Sequence, residues 1–235
     1  MNARQRIVLA TKVGGRSGDG DPPGFIGVSA KNIIRQCELS LLQLKTDWID
    51  LLQLHLPGEI VEIDEQLDAL DRLRQKGVIR YYGVCNHSAN QMADLYAAEK
   101  RKDLSGLVSH QFSYNLLEQL GRKELFAQCT ALQIGSIIWG PLSSGLLSDR
   151  YAINRNVVEQ SRIGIGRERI SKELLLQQQE TQNLLCNLVD QSKREGISLQ
   201  SQAIKWLLQN DTVDTILLGP SNLSQLLELL EVEKI

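Results

Sequence analysis

The stretch Asp47-Trp-Ile-Asp-Leu-Leu-Gln-Leu-His55 decides the fold class of this chain. It is largely apolar from Trp48 to Leu54, and the turn-forming pair Pro57-Gly58 follows it. A short apolar run bounded by turn residues is typical of a strand buried on both faces of a parallel sheet. We therefore expect His55 at the edge of such a sheet, where the strand ends.

Similar runs lie on both sides of this strand. The predicted strands are Ile7–Lys12, Trp48–His55, Val78–Val84, Leu107–Phe112, Gly135–Trp139 and Thr215–Leu218. Each is followed by sequence with helical spacing of apolar residues. One predicted helix begins after Ser29, and a second ends at Gly77. The others cover Ser88–Arg101, Arg122–Leu132, Ser171–Glu195, Leu199–Gln209 and a segment from Leu223. This alternation predicts an α/β fold, either an open doubly wound sheet or a barrel.

Composition agrees with one folded domain over residues 1–235. The chain has 42% hydrophobic and 23% charged residues, which suits a globular protein. No shift in composition marks a linker, and the length is close to that of a single α/β barrel. The formal charge of −2 gives no electrostatic reason to expect nucleic acid or an anionic membrane as a partner.

The expected location is the cytoplasm. No apolar run approaches the roughly 20 residues that span a bilayer, and the apolar stretch at the start is too short for a signal peptide. Cys37, Cys85, Cys129 and Cys186 are far apart, so no C-x-x-C pair is available for zinc or redox chemistry. Reduced, buried thiols are the expectation.

Polar residues follow every predicted strand, and the carboxyl ends of parallel strands share one edge of the sheet. Lys12 and His55 end the first two strands. Taken singly, a solvated lysine and a partly buried histidine are the ordinary interpretations. Together they can polarise a carbonyl group and steer a proton. His87 and His110 lack ligand spacing relative to His55, so no metal is expected.

Two glycine-containing segments could bind phosphate. Gly18-x-Gly20-x-x-x-Gly24 departs from the dinucleotide fingerprint and contains Pro22-Pro23, which predicts a loop. Gly219-Pro-Ser-Asn222 lies between a strand and a helix, where backbone N–H groups and the helix dipole favour an anion. An ordinary loop with a helix cap explains the second segment equally well.

The strand ends resemble those of the aldo-keto reductases. The resemblance runs in order from Ile7 to about Leu230, through the segments Val8–Lys12, Asp47–His55, Tyr82–Asn86, Gln111–Asn115, Trp139–Leu146 and Leu218–Asn222. It implies a (β/α)8 TIM barrel and an NAD(P)H-dependent oxidoreductase. Such an enzyme transfers hydride between NADPH (sometimes NADH) and an aldehyde or ketone without metal, so the partner is a small carbonyl or alcohol substrate.

The resemblance also assigns roles to individual residues. Lys12 and His55 match two members of the catalytic group. The nicotinamide carboxamide would be held by Asn86 and Gln111, with Cys85 where the family usually has serine. Trp139 would stack on the nicotinamide ring. Toward the other end of the cofactor, the implied contacts are Gly140, Leu142, Ser143 and Gly145 at the pyrophosphate, and Gly219, Ser221, Asn222, Gln225 and Glu228 at the adenosine.

One departure from the family concerns the start of the chain. In the family, two strands that carry a catalytic Asp and Tyr precede the lysine strand. Here eleven residues precede Lys12, and none is Asp or Tyr. The resemblance therefore implies a barrel that is incomplete at its N-terminus.

Three functional interpretations stay open: an oxidoreductase with impaired activity, a non-catalytic NADP-binding or regulatory module, and a fragment of a longer active enzyme. Substrate choice would depend on the loops Arg16–Val28 and Asn154–Arg169.

Overall fold

The computed structural model describes residues 3–15, 27–58, 61–148, 151, 159, 161–166 and 169–234. Its strands and longer helices are β1 Ala10–Val13, α1 Ala30–Leu44, β2 Ile49–Leu54, α2 Ile63–Gln75, β3 Ile79–Cys85, α3 Ala89–Arg101, β4 Leu107–Ser113, α4 Arg122–Leu132, β5 Gly135–Trp139, α5 Arg162–Ile165, α6 Arg169–Gln177, α7 Gln179–Glu195, α8 Leu199–Leu208, β6 Thr215–Ile216 and α9 Leu223–Leu230. The predicted strand–helix alternation is confirmed.

The chain forms two compact units. The first contains Met1–Phe112 and Lys123–Ser136, and the second contains Ser113–Arg122 and Ile137–Ile235.

In the first unit, the strands β1 to β4 pair in parallel in chain order. All six residues of β2 are buried, as expected for a strand covered on both faces. The register places Lys12 opposite Gln53, and Cys85 opposite Gln111. Gly83 is required in β3, because a Cβ there would collide with the Ser109 side chain on β4. Parallel pairing thus brings the predicted strand ends to one edge.

In the second unit, β5 pairs in parallel with β6, with Ile137 opposite Thr215. Its core joins the segment after β5 to α7 and α8 through Leu146, Leu147, Leu185 and Leu199, each of which is fully buried. The structure thus confirms an α/β fold with parallel strands and covering helices. Closure into a (β/α)8 barrel and the incomplete N-terminus stay predictions.

The prediction of one helix over Ser171–Glu195 is wrong. Gln178 has an extended backbone (φ −67°, ψ 132°), which separates α6 from α7. The side-chain Nε2 of Gln182 donates a hydrogen bond to the Leu176 carbonyl at 2.5 Å, which satisfies one acceptor at the end of α6. The break is thus stabilised by a tertiary contact, and no Gly or Pro in the sequence announces it.

The outer strands are shorter than predicted. β1 begins at Ala10, and Ile7 and Val8 are exposed. Two helix starts follow the sequence closely. Ser29 caps α1, and Ser88 forms a reciprocal capping box with Gln91 at the start of α3. Among the helices within the described ranges, none has the length and apolar content needed to cross a bilayer.

Candidate active site

Lys12 and His55 lie at the ends of β1 and β2 in the first unit. The backbone N–H of His55 donates to the Val13 carbonyl at 2.8 Å, so its position follows from parallel pairing. The side chain of His55 is exposed, and that of Lys12 is partly buried. Partial desolvation, together with the positive charge of Lys12, lowers the pKa of His55 below its ordinary value of 6.5. The two groups therefore interact electrostatically, and the imidazole is largely neutral near pH 7.

Asn86 connects the ends of neighbouring strands. Its backbone N–H donates to the Gln111 carbonyl at 2.8 Å, and its side-chain Nδ2 donates to the His55 carbonyl at 3.1 Å. Asn86 has a φ of 58°, a left-handed conformation that asparagine tolerates better than most residues. The strained turn after β3 thus fixes Asn86 beside His55.

Gln53 is a site residue that the sequence argument missed. Its buried Oε1 accepts hydrogen bonds from the Cys85 thiol at 3.6 Å and from the Gln111 Nε2 at 3.4 Å. Burial raises the pKa of Cys85 to about 12, although the charge of Lys12 opposes the shift. Cys85 is therefore a thiol, a weak hydrogen-bond donor rather than a nucleophile. The signal for Gln53 was its position two residues before His55, which places both side chains on one face of β2.

The other two histidines are buried. The His87 ring nitrogen Nδ1 lies 2.9 Å from the Cys85 carbonyl, and burial lowers the pKa of His87. His110 packs on Phe112 with ring centroids 5.0 Å apart. In the portion of the chain that the structure describes, no group of three or more His, Cys, Asp or Glu residues is arranged to hold a metal ion.

Four of the five tyrosines make a hydrogen bond or a ring contact. The Tyr82 hydroxyl donates to the buried carboxylate of Glu99 at 2.6 Å, and the Tyr151 hydroxyl donates to Ser161. The Lys100 ammonium lies over the Tyr96 ring, and Tyr114 packs against Trp206. The Tyr81 side chain is half exposed to solvent.

In the second unit, Trp139 ends β5 and a tightly turned loop follows. Gly140, Ser143, Ser144 and Gly145 all have positive φ, from 46° at Ser143 to 103° at Gly145. Such a conformation costs a non-glycine residue on the order of 1–3 kcal/mol and persists only where its surroundings impose it. A Cβ at Gly145 would meet nothing within 4 Å, so this stretch of backbone borders open space. Leu142 and Trp139 are partly buried.

Glu118 and Lys172 hold this loop, and neither was predicted. The Glu118 carboxylate accepts hydrogen bonds from Lys172 Nζ at 2.9 Å, Asn115 Nδ2 at 2.8 Å and Ser143 Oγ at 3.1 Å. Lys172 Nζ also donates to Ser143 Oγ at 3.1 Å. Burial acts to raise the pKa of Glu118, but the hydrogen bonds from Asn115 and Lys172 and the charge of Lys172 outweigh it and lower the pKa. Glu118 is therefore ionised at neutral pH.

The segment Gly219–Asn222 leads into α9 as a capped loop. The Asn222 side chain accepts a hydrogen bond from the Gln225 backbone at 3.0 Å, and the Ser221 backbone donates to the Gln225 side chain at 2.8 Å. Gly219, Ser221, Asn222, Gln225 and Glu228 are all exposed. Glu228 also accepts a hydrogen bond from the Ser198 hydroxyl. The helix-cap interpretation is therefore correct, and the role of these residues in binding an anion stays a prediction.

The predicted residues are divided between the two units. Lys12, His55, Cys85, Asn86 and Gln111 occupy the strand ends of the first unit. In the second unit, Trp139 ends β5, Gly140, Leu142, Ser143 and Gly145 lie in the loop after it, Gly219, Ser221 and Asn222 lie in the loop before α9, and Gln225 and Glu228 lie on α9. A separate cavity of about 620 Å³ in the second unit is lined by other residues, among them Trp206, Lys205 and Leu188. Of the two loops predicted to choose the substrate, Arg16–Val28 and Asn154–Arg169, the residues 16–26, 154–158, 160, 167 and 168 lie outside the described residues.

Comparison with known proteins identifies relatives that align with nearly the whole chain. The relatives include a probable voltage-gated potassium channel subunit beta of Oryza sativa subsp. japonica, 26% identical over 227 residues. A second probable subunit of this kind, from Arabidopsis thaliana, is 28% identical over 228 residues. Each alignment spans 96% of this chain and 67% of the relative. The uncharacterized oxidoreductase YrpG of Bacillus subtilis (strain 168) is 28% identical over 234 residues, 99% of this chain and 68% of the relative.

A family model matches this chain over more residues than any of these three alignments covers. The model of the aldo/keto reductase family matches residues 1–235, the full length of this sequence. The chain belongs to the aldo/keto reductase family.

Proposed function

We propose that this chain is an NADPH-dependent carbonyl reductase. Its family and the oxidoreductase among its relatives support oxidoreductase chemistry. The observation that carries the proposal is the pairing of Lys12 with His55 at neighbouring strand ends, next to the amides of Asn86 and Gln111. This arrangement supplies a cation, an imidazole that can exchange protons, and amide groups suited to a carboxamide.

Each residue has a definable task. Bound NADPH would supply a hydride to the carbonyl carbon. Lys12 polarises the carbonyl oxygen by its charge, and the amides of Asn86 and Gln111 orient the carboxamide of the cofactor. We assign proton donation to the imidazolium form of His55, which is the minor form near pH 7, because the hydroxyls of Tyr82 and Tyr151 are engaged in other hydrogen bonds. Hydride on carbon and a proton on oxygen together give the alcohol.

The second unit, taken by itself, has features suited to a pyrophosphate and to an adenosine. The loop from Gly140 to Gly145 has positive-φ backbone bordering open space at Gly145, and backbone N–H groups in such turns can approach phosphate oxygens. Gly219, Ser221, Asn222, Gln225 and Glu228 are exposed and available for the adenosine. We therefore assign the pyrophosphate to the first loop and the adenosine to the second.

A steady-state assay tests the proposal. NADPH oxidation in the presence of 4-nitrobenzaldehyde is followed by absorbance for the wild type, Lys12→Met and a control, Lys31→Met, at an exposed position on α1. We expect NADPH oxidation that depends on the aldehyde, at least a hundredfold slower in Lys12→Met and unchanged in the control. Turnover unaffected by Lys12→Met would contradict the proposed site.

A non-catalytic NADP-binding module is the second candidate. One observation favours it: the Tyr82 hydroxyl on β3 is engaged by Glu99, and burial and this contact raise the pKa of Tyr82, so this tyrosine is a poor proton donor. Two relatives are also described as channel subunits. Saturable NADPH binding with no aldehyde-dependent oxidation would select the module over the reductase.

A further inference from the structure

Lys172 and Glu118 form a partly buried ion pair in the second unit, and both contact Ser143 in the loop after β5. Only 8% of the Lys172 side chain is exposed, and Ser143 is 1% exposed. The Ser143 hydroxyl accepts from Lys172 Nζ and donates to Glu118, so both charges are anchored to one serine. The ion pair therefore affects both the charge beside the loop and the conformation of the loop.

The same network constrains the loop backbone. Asn115 Nδ2 donates to the Gly140 carbonyl at 2.9 Å and to Glu118 at 2.8 Å. The loop is therefore fixed at Gly140 by Asn115 and at Ser143 by the ion pair. Four of the six residues from Gly140 to Gly145 have a positive φ, and these hydrogen bonds explain how the loop keeps that backbone conformation.

The electrostatic consequence follows from the position of Glu118. A carboxylate beside a loop that takes a pyrophosphate repels it, and the partial burial of Glu118, whose side chain is 32% exposed, reduces the screening of this repulsion by water. The ammonium of Lys172, 2.9 Å from the Glu118 carboxylate, cancels that charge. The pair is neutral only while both members are ionised.

We propose that the Lys172–Glu118 ion pair sets the charge of the Gly140–Gly145 loop, so that this loop accepts the pyrophosphate of a dinucleotide. The inference rests on the proposed function and adds two positioning residues to it. Lys172 acts through Glu118 and Ser143, and its main task is to neutralise Glu118.

This role predicts opposite effects for the two halves of the pair. Lys172→Met leaves the Glu118 charge uncompensated, and we expect the affinity for NADP⁺ and for 2′-phospho-ADP-ribose to fall at least tenfold. Glu118→Gln leaves the Lys172 charge uncompensated and keeps a side chain that can still hydrogen-bond, so affinity is expected to rise about threefold. The double variant Lys172→Met/Glu118→Gln should return to within about threefold of the wild type. A purely structural pair would instead weaken binding in both single variants.

The test is isothermal titration calorimetry of the full chain with these two ligands. Adenosine 2′-monophosphate, which lacks the pyrophosphate, serves as a competing ligand whose affinity should not change in any variant. Lys102→Met is the matched control, because it removes the lysine of another ion pair, with Asp68 in the first unit. Circular dichroism confirms folding of each variant.

The outcomes separate this inference from the proposed function. If the folded wild type binds neither NADP⁺ nor 2′-phospho-ADP-ribose, both fall. If the wild type binds and Glu118→Gln weakens binding, or the double variant fails to recover, the inference alone is overturned. If Lys172→Met does not fold, the variants Glu118→Gln and Lys172→Arg decide. The inference is supported if Glu118→Gln binds the two ligands at least as tightly as the wild type and Lys172→Arg binds them as the wild type does. Weaker binding by either variant overturns it.

Discussion

The polar residues at the two ends of β2 differ in their contacts and in their exposure to solvent. At its start, the Asp50 carboxylate is bound by Arg4 at 2.7 Å, by Arg80 at 3.0 Å and by the Leu9 backbone N–H at 3.0 Å. At its end, His55 is held through its backbone, and its ring remains exposed.

One further residue near each end of the strand adds to this difference. The Arg4 guanidinium also lies 4.2 Å from the centre of the Trp48 ring, which adds to the contacts at the start of the strand. At the other end, Gly15 leaves room beside the His55 ring, since a Cβ there would come within 3.2 Å of Nδ1. Polar side chains therefore stabilise the fold at the start of the strand and are left available for chemistry at its end.

The largest expected effect breaks the start of the strand. Asp50→Ala removes the shared partner of Arg4 and Arg80, and we expect the free energy of unfolding to fall by about 2–3 kcal/mol. Asp64→Ala, which breaks the exposed pair with Arg101, is the control and should cost at most about 0.5 kcal/mol. Chemical denaturation measures both, and equal losses would contradict a special role for Asp50.

The stability difference at Asp50 should also depend on pH. Burial acts to raise the pKa of Asp50, but the hydrogen bonds from Leu9 and Arg4 and the charges of both arginines lower it below its ordinary 3.8. A carboxyl group with a lowered pKa contributes its full stability above its unfolded pKa and loses it as the pH falls through the folded value. The gap between wild type and Asp50→Ala should therefore be constant near pH 7 and shrink below about pH 4.

A smaller effect is expected at the end of the sheet. Gln111→Leu removes an amide proposed to orient the nicotinamide, and we expect NADPH affinity to fall about tenfold, or about 1.4 kcal/mol. Gln75→Leu, at an exposed position where the amide contacts Asp71, is the control and should bind NADPH as the wild type does. A fluorescence titration compares them, and unchanged binding in Gln111→Leu would remove this residue from the site.

A modest gain is expected from Cys85→Ser. A hydroxyl donates a stronger hydrogen bond than the thiol now facing Gln53, so the amides of the site should be held more firmly. The same titration should show about threefold tighter binding of NADPH, or about 0.6 kcal/mol. Weaker binding by a folded Cys85→Ser variant would show that thiol packing matters more than the hydrogen bond.

The smallest effect is electrostatic. The charge of Lys12 helps to lower the pKa of His55, so Lys12→Met should raise that pKa toward its ordinary value. NMR titration of the histidine rings measures the shift. His87, whose pKa is lowered by burial, serves as an internal reference and should not move. An unchanged His55 would mean that Lys12 and His55 are not coupled.

Much of the fold was predictable because it depends on local patterns. Apolar runs bounded by turn residues located the strands, and Ser29 and Ser88 marked two helix starts through their side-chain oxygens. The break at Gln178 was not predictable, since it depends on a contact between Gln182 and Leu176 within a sequence of good helix formers.

The candidate site divides in the same way. Strand-end residues such as Lys12 and His55 follow from the alternation of strands and helices. Glu118 and Lys172 are 54 positions apart and meet only in the folded structure. No spacing rule links two such residues, so a sequence pattern could not pair them.

The most direct test of the central claim, that this chain binds a nicotinamide dinucleotide, is an equilibrium titration of the wild-type chain with NADPH. Energy transfer from protein tryptophan to bound NADPH is monitored, and NADP⁺ is then added as competitor. The account predicts a saturable signal that NADP⁺ reverses and that Trp139→Ala weakens. A folded protein that gives no saturable signal would contradict it.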